Sequence, residues 1–137
     1  MVAQRRGSGV PPGSELLWQV IFHDDFISEY RELSESAQNV LAASTKILRE
    51  EGPLLGRPQV DTLKGSRHAN MKELRFEADG GVWRVAFAFD TERKAILLVA
   101  GDKGGVAKRR FYRDLIRTAD ERFDGHLNAL KLQKRKQ

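Results

Sequence analysis

The stretch KELRFEADGGVWRVAFAF, residues 72–89, limits the possible folds more than any other part of this sequence. Two segments rich in β-forming residues flank a Gly-Gly pair, and glycines at such a point supply the positive φ angles of a tight turn. The stretch therefore predicts a β-hairpin. Each of its strands carries an arginine in its interior, Arg75 in the first and Arg84 in the second.

Because side chains alternate between the two faces of a strand, the sequence also predicts where each arginine points. On the second strand Arg84 shares a face with small residues, and Glu73 and Arg75 point to that same face from the first strand. An ionised arginine is costly in an apolar core unless it is paired, so we expect this face to be open or lightly covered. The opposite face carries the bulky residues of the second strand and should pack against helices: Trp83, Val85, Phe87 and Phe89.

The three charged residues of the small-residue face have two interpretations. Glu73, Arg75 and Arg84 could form a cross-strand ladder of ion pairs that only stabilises the hairpin. Alternatively, Glu73 could hold one arginine through a bidentate pair while both guanidinium groups approach a ligand. The residue pattern alone leaves both possibilities open.

Before the hairpin, the sequence predicts one strand and two helices. The strand is WQVIF, residues 18–22, and two segments with apolar residues at helical spacing follow it, the second ending at Gly52 and Pro53. Residues 54–70 lack a regular pattern and are expected to form an ordered loop. The candidate N-caps are Asp24 or Asp25 for the first helix and Ser34 or Ser36 for the second.

After the hairpin, AILLVAG, residues 95–101, predicts a third antiparallel strand, and the apolar stripe of residues 107–130 predicts a long terminal helix. The element order is therefore β-α-α-β-β-β-α. This order is typical of a small α+β domain, with an antiparallel sheet covered on one face by an N-terminal helical hairpin and a C-terminal helix. We expect residues 1–15 to form a flexible leader, residues 16–130 the domain and residues 131–137 a basic tail.

Charge and composition limit the partners of the chain. Residues 103–137 hold 11 basic and 4 acidic side chains, a balance of +7 in a chain of net charge +5. Such a segment favours a polyanionic partner, nucleic acid first, although a solvated helix and tail would carry the same charge. The chain has no cysteine, which excludes disulfides, thiolate metal sites and a cysteine nucleophile and fits a reducing cytoplasm. No segment reaches the roughly 18 apolar residues of a membrane-spanning helix.

Four segments, taken in order, resemble the RelE/HigB superfamily of toxins from bacterial toxin–antitoxin modules, and within it the phage Gp49-like, HigB-type branch. The segments are MKELRF, GGVWRVAFAFD, AILLVAGDK and RRFYRDLIRTADERFDGHL. The resemblance covers about residues 18–130. Its most specific signal is the succession of ELR, a turn, WRV and an apolar strand that ends in a lysine.

The resemblance implies a ribosome-dependent endoribonuclease that cuts mRNA with no metal or other cofactor. In such enzymes the RNA's own 2′-hydroxyl is the nucleophile, so the protein supplies a base, cations for the phosphorane and an acid for the leaving 5′-oxygen. The implied partners are mRNA on the ribosome and a cognate antitoxin, often a helix-turn-helix protein, and the implied location is the cytoplasm. The basic C-terminal segment could bind ribosomal RNA or receive an acidic part of the antitoxin.

Two other functions remain possible at this point. The superfamily contains ParE-like members that inhibit DNA gyrase by binding it, an activity without chemistry. The chain could also be a non-catalytic relic that binds RNA or an antitoxin. A thin supply of acid and base groups in the matching segments keeps both alternatives open.

The resemblance also suggests catalytic residues. Arg75 and Arg84 match positions where the family keeps basic residues on the sheet, and Lys103 matches the basic residue that ends the last strand. Tyr112 is similar in place to a tyrosine that stacks on or activates the RNA in RelE-like toxins, although the position also suits a core aromatic. Glu73 stands where fast RelE-like toxins often carry a lysine, so it could position an arginine or replace a missing base.

HigB-like relatives can also use histidines near the site. Of the three histidines, only His68 lies close before the hairpin, and with Lys64 and Arg67 it forms the loop KGSRH, which could bind RNA backbone. His23 is expected to be structural and His126 to lie on the surface. The full set of RNA-binding candidates is Lys64, Arg67, His68, Lys72, Lys108 and Arg109.

Overall fold

The computed structural model describes residues 17–136, so the expected leader at residues 1–15 lies outside the described part of the chain. The predicted α+β class and element order are confirmed, with one additional short strand inside the stretch expected to be a loop. In chain order the elements are β1 (Gln19–Phe22), α1 (Asp24–Arg31), α2 (Glu35–Glu51), β2 (Val60–Thr62), β3 (Lys72–Ala78), β4 (Gly81–Phe89), β5 (Lys94–Asp102) and α3 (Lys108–Lys136).

The strands form one mixed sheet in the order β1-β5-β4-β3-β2. Strands β2, β3, β4 and β5 pair antiparallel with one another, as the short turns between β3, β4 and β5 predict. Strand β1, however, runs parallel to β5, because the chain crosses from one to the other through two helices and the rest of the sheet. The sheet therefore differs from the expected antiparallel one at this edge.

Local hydrogen bonds set the starts of helices α1 and α2. His23 caps α1 in place of Asp24 or Asp25, because its Nδ1 accepts a hydrogen bond of 3.1 Å from the backbone N–H of Asp25. The hydroxyl of Ser34 caps α2 by accepting from the N–H of Ala37 at 3.0 Å. The serine cap was predicted correctly, and His23 has the structural role expected of it.

The bulky face of the sheet packs against α1 and α2, as alternation along β4 predicts. Phe26 and Leu41 from the two helices meet Leu74, Val85 and Phe87 from the strands, and each of these side chains is fully buried. This cluster is the larger of the two cores and fixes which way β3 and β4 face.

The opposite, small-residue face is covered as well. Helix α3 lies across it, and Leu115, Ala119 and Phe123 pack against Ala86 and Ala88 of β4. The expectation that helices cover only one face is therefore wrong. Small side chains on a strand let a helix approach the sheet closely, so this face forms a second dry core.

Helix α3 is longer than the sequence pattern predicts. It continues through Lys136, so residues 131–136 extend the helix where a basic tail outside the domain was expected. Between residues 17 and 136, no helix is both long enough and apolar enough to cross a membrane.

Candidate active site

Arg75 and Arg84 lie directly opposite each other on β3 and β4. Like charges at such a cross-strand pair destabilise a sheet unless a counter-charge lies close by. Glu73 provides it, because its carboxylate oxygens lie 2.9 Å from Arg75 Nη2 and 4.0 Å from Arg84 Nε. The three side chains form one charged cluster on the α3 side of the sheet.

Glu73 is the buried centre of this cluster, with only 4% of its surface exposed. A carboxylate at such a depth is costly unless each oxygen receives a hydrogen bond. Oε2 accepts from Arg75 Nη2 and Oε1 accepts from the hydroxyl of Tyr112, both at 2.9 Å. The two oxygens thus bind different donors, and the contact with Arg75 is monodentate where a bidentate pair was considered.

Tyr112 brings α3 into the cluster. Its half-buried hydroxyl donates to Glu73 and accepts a hydrogen bond of 2.8 Å from Arg84 Nε. Burial, and after it the hydrogen bond to Glu73, raises the pKa of Tyr112 above its ordinary value of 10.0. The phenol therefore keeps its proton at neutral pH and can donate it. Tyr112 is at once a packed aromatic of the second core and a polar contact of the cluster.

Arg84 is held on several sides by the protein itself. Besides Tyr112, its guanidinium contacts the carbonyl of Val82 at 3.0 Å and lies 5.6 Å from the ring centre of Phe111. Gly101, the partner of Arg84 on β5, makes room for that ring, because a Cβ there would lie 2.9 Å from it. With 18% of its side chain exposed, Arg84 is placed to orient Tyr112.

Arg75 is more accessible, with 39% of its side chain exposed. It faces a cavity of about 240 Å³ between β2, β3 and the start of α3, and Glu73 and Tyr112 line the same cavity. Lys64 and Lys108, two of the candidate RNA contacts, also lie in its wall. The complete lining is Arg57, Asp61, Thr62, Leu63, Lys64, Glu73, Arg75, Lys108 and Tyr112. This reaction cavity therefore combines four cations with two carboxylates and one phenol.

The loop of Arg67 and His68 is attached to α3. His68 Nε2 lies 2.7 Å from Asp124 Oδ1, and Arg67 Nε donates to Asp124 Oδ2 at 3.1 Å. The buried Asp120, one turn earlier, accepts from Ser66 Oγ at 2.5 Å and from the N–H of Arg67 at 3.2 Å. The hydrogen bond from Arg67, and then that from His68, lowers the pKa of Asp124 below its ordinary value of 3.8. These contacts fix the loop against the helix.

The remaining candidates are spread around the site. Lys72 lines a second cavity next to the reaction cavity, and Arg109 is exposed in the first turn of α3. Lys103 follows β5 directly. Within residues 17–136, the hydrogen bonds and ion pairs of the charged cluster do not include Lys103. His126 was expected on the surface, but its Nε2 lies 2.8 Å from Oδ2 of the buried Asp90.

Sequence reasoning missed three residues that shape this region: Arg57, Asp120 and Asp124. The two aspartates had a detectable signal, since they lie four residues apart on α3 and flank Phe123 of its buried stripe. A carboxylate that is buried beside such a stripe needs a hydrogen-bond or ion-pair partner. Arg57 had no comparable signal, because its neighbours reach the cavity only through the pairing of β2 with β3.

Comparisons with known proteins agree with this architecture. Residues 28–124 match the family described as phage-derived protein Gp49-like. The chain is 47% identical over 96 residues to the candidate toxin HigB2 of Mycobacterium tuberculosis, a match that covers 69% of this chain and 47% of HigB2. It is 44% identical over 95 residues to the candidate toxin HigB3 of the same strain, covering 69% of this chain and 81% of HigB3. The chain thus matches about half the length of HigB2.

Among solved structures, a mutant of the E. coli toxin RelE in the free state has the same fold. The TM-score is 0.54 at 13% identity, and the match covers 77% of this chain and 97% of that one. Fold and site together define a RelE-like α+β domain with a buried glutamate at the floor of a cationic cavity. The chain belongs to the phage-derived Gp49-like family, the HigB-type branch of the RelE/HigB superfamily.

Proposed function

We propose that this chain is the toxin of a bacterial toxin–antitoxin module and that it acts as an endoribonuclease on ribosome-bound mRNA. The observation that carries the proposal is the contact of Glu73 with Tyr112 and Arg75 in the reaction cavity, where Lys64 and Lys108 add positive charge. A buried acid that is hydrogen-bonded to a phenol and surrounded by cations suits proton transfer next to a phosphate.

The proposed reaction uses the 2′-hydroxyl of the RNA as nucleophile. Tyr112 takes the proton of that hydroxyl while it passes its own proton to Glu73, which accepts it as a carboxylate. The 2′-oxygen bonds to the adjacent phosphorus, and the bond from phosphorus to the 5′-oxygen breaks. The leaving 5′-oxygen takes a proton from an ammonium group of the cavity wall, Lys64 or Lys108. The products are a 2′,3′-cyclic phosphate and a 5′-hydroxyl.

The two arginines have different parts in this proposal. Arg75 keeps nitrogens free of Glu73 and is exposed to the cavity, so it is the cation that binds the phosphate and stabilises the phosphorane. Arg84 is a positioning residue, because its Nε holds the Tyr112 hydroxyl in line with Glu73. Its positive charge also favours the transient phenolate character of Tyr112 during proton transfer.

The partners of the proposed toxin are mRNA on the ribosome and a cognate antitoxin. We expect the antitoxin to be a helix-turn-helix protein, as in many HigB-type modules, and the complex to form in the cytoplasm. The support for the antitoxin is family membership alone, and co-purification of the chain with the product of a neighbouring gene tests it.

RNA mapping inside cells tests the nuclease. The chain is expressed from a tightly repressed promoter, and new RNA 5′ ends are located by sequencing. We expect cuts within translated codons that disappear in Glu73→Gln and persist in Glu77→Gln, which removes an exposed carboxylate from the same strand. DNA damage with intact mRNA would instead assign the chain to the gyrase inhibitors, and growth without any defect would refute a toxin.

A further inference from the structure

A second cavity adjoins the reaction cavity on the side of β2. Its volume is about 250 Å³, and it shares three wall residues with the reaction cavity: Arg57, Asp61 and Thr62. Lys72 and Leu54 line only the second cavity. The two cavities thus meet around the β2 edge of the sheet, because Lys72 and Glu73 point to opposite faces of β3, and Arg57 lies at the boundary between them.

Among residues 17–136, an ion pair with Asp61 holds Arg57 at this boundary. Its Nε donates to Asp61 Oδ2 at 3.2 Å, while 78% of the side chain is exposed. Asp61 is itself fixed, because its Oδ1 accepts from the backbone N–H of Thr62 at 2.8 Å. Because Asp61 binds the guanidinium through Nε, it sets the orientation of the group. The two terminal nitrogens can then donate to an anion.

Leu54 gives the second cavity an apolar element. Its side chain is 89% exposed, the highest fraction among the exposed large apolar residues of the described part of the chain, and it lines the same cavity as Lys72. An exposed apolar surface beside two cations matches a nucleotide, whose base is flat and apolar on its faces and whose phosphate is anionic.

We propose that the second cavity is a subsite for a nucleotide next to the one that is cut, with its phosphate between Arg57 and Lys72 and its base against Leu54. The proposal rests on the proposed nuclease function, which it extends by a second point of contact on the RNA strand. Asp61 favours RNA over an acidic peptide here, because its carboxylate can accept hydrogen bonds from base amino groups, and acidic side chains offer no such donor.

Binding of an uncleavable RNA tests the subsite separately from catalysis. The probe is a fluorescein-labelled hexanucleotide with 2′-O-methyl groups, and its affinity for the full chain is measured by anisotropy at several salt concentrations. The test variant is the double substitution Arg57→Ala and Lys72→Ala. Its control is the double substitution Arg31→Ala and Lys46→Ala, which removes the same two charges from exposed positions on α1 and α2.

We expect the test variant to bind the probe about tenfold or more weakly than the wild type. The slope of log affinity against log salt should also fall by about 1.4, since each lost phosphate contact to a single strand contributes about 0.7. The control should retain wild-type affinity. Equal affinities of the two double variants, or no binding of the probe by the wild type, overturn the subsite.

A second arm tests the base contact with Leu54, an exposed position whose change to serine leaves the cores intact. An abasic nucleotide is moved along the probe one position at a time. At one position it should weaken binding by the wild type and have no effect on Leu54→Ser. If no position behaves in this way, Leu54 does not contact a base.

Two further outcomes separate the subsite from the function on which it rests. If the wild type cuts mRNA in cells but the double variant of Arg57 and Lys72 keeps full affinity for the probe, only the proposed subsite is refuted. If the chain binds the probe through Arg57 but cuts no RNA, only the proposed nuclease function is refuted. If a poly-glutamate peptide of equal charge displaces the probe as well as unlabelled RNA does, the cavity binds acidic peptides and the assignment to RNA is wrong.

Discussion

Tyr112 donates its hydroxyl hydrogen to Glu73 across 2.9 Å and so joins α3 to β3 over a separation of 39 residues. With the hydrogen bond from Arg84 to the same hydroxyl, this bond connects the second core, to which the tyrosine ring belongs, with the charged cluster. It also means that the two interpretations of the cluster are compatible. The ion pairs of Glu73 with the arginines stabilise the hairpin, and the same carboxylate lines a cavity that is open to a ligand.

Replacing Tyr112 by phenylalanine should reduce RNA cleavage far more than stability. The change removes the proposed proton relay, and we expect cleavage in cells to fall by at least about a hundredfold, the lower end of the range for acid–base groups. The unfolding free energy should fall by only about 1–3 kcal/mol, because Glu73 loses one of its donors and Arg84 loses an acceptor. RNA mapping and denaturant unfolding give the two quantities.

The matched control for this change is Tyr30→Phe. Tyr30 also donates its hydroxyl to a partner, the carbonyl of Gln38 at 3.1 Å, but it lies in the first core. The control should lose a similar amount of stability and keep full cleavage. If both variants lose cleavage equally, the effect of Tyr112 is structural and the relay is wrong.

Stability at high pH should reveal the contact between Tyr112 and Glu73. The pKa of Tyr112 is raised in the folded chain above its ordinary value of 10.0, so the folded state favours the protonated phenol. Its contribution is complete below pH 10 and is lost as the pH rises through the higher folded value. We expect the wild type to lose more unfolding free energy than Tyr112→Phe in this window. Parallel loss in both proteins would contradict the assignment.

The two arginines should differ in their effect on stability. Arg75→Ala removes a partly exposed group but leaves Oε2 of the buried Glu73 without its donor, so it should cost about 1–2 kcal/mol. Arg84→Ala leaves the Val82 carbonyl and the Tyr112 hydroxyl without their donor and opens space beside Phe111, so we expect a loss of about 2–4 kcal/mol. Both should abolish cleavage. Thermal unfolding of the two variants checks the difference, and equal losses would mean that Arg75 is as structural as Arg84.

Alternation predicted the two faces of β3 and β4 correctly, because the direction of each side chain depends only on its position along the strand. It failed to predict that α3 covers Ala86 and Ala88, since a small side chain is equally compatible with an exposed strand and with a close helix. Strand β2 was missed for a similar reason. It has only three residues, and its pairing with β3 is decided by tertiary contact.

In the candidate site, too, the local sequence pattern indicated which residues matter, while tertiary packing decided how they contact each other. Glu73, Arg75 and Arg84 were singled out because they interrupt apolar strands, and the resemblance suggested Tyr112; the catalytic roles of all four stay predictions. The contacts among them could not be predicted, since they depend on how α3 lies on the sheet. The attachment of His68 to Asp124 spans 56 residues, and no local pattern gives such a contact.

Replacing Phe123 by alanine tests whether α3 is a structural layer of the domain. Phe123 is 2% exposed, and its ring packs edge-on against His68 at 4.9 Å between centroids. The change should cost about 3–5 kcal/mol, the range for a buried aromatic ring. Denaturant unfolding measures this loss. Leu132→Ala, on the exposed last turns of the same helix, is the control and should cost less than about 1 kcal/mol.

Acid should release the loop of Arg67 and His68 from α3. The pKa of Asp124 lies below its ordinary value of 3.8 in the folded chain, first because of its hydrogen bond from Arg67 and then because of that from His68. The folded state thus favours the carboxylate. The resulting stability is present above pH 3.8 and is lost as the pH falls through the lower folded value.

Asp124→Asn should therefore have a lower melting temperature than the wild type at neutral pH, and the difference should shrink below pH 3.8. Amide hydrogen exchange should also accelerate at His68, whose N–H donates to Ser66 Oγ at 2.9 Å within the attached loop. The control, Asp114→Asn, removes a carboxylate of the same helix that pairs only with exposed arginines, and it should change neither quantity. A deficit of Asp124→Asn that stays constant on acidification would show that the amide disturbs packing and that charge does not hold the loop.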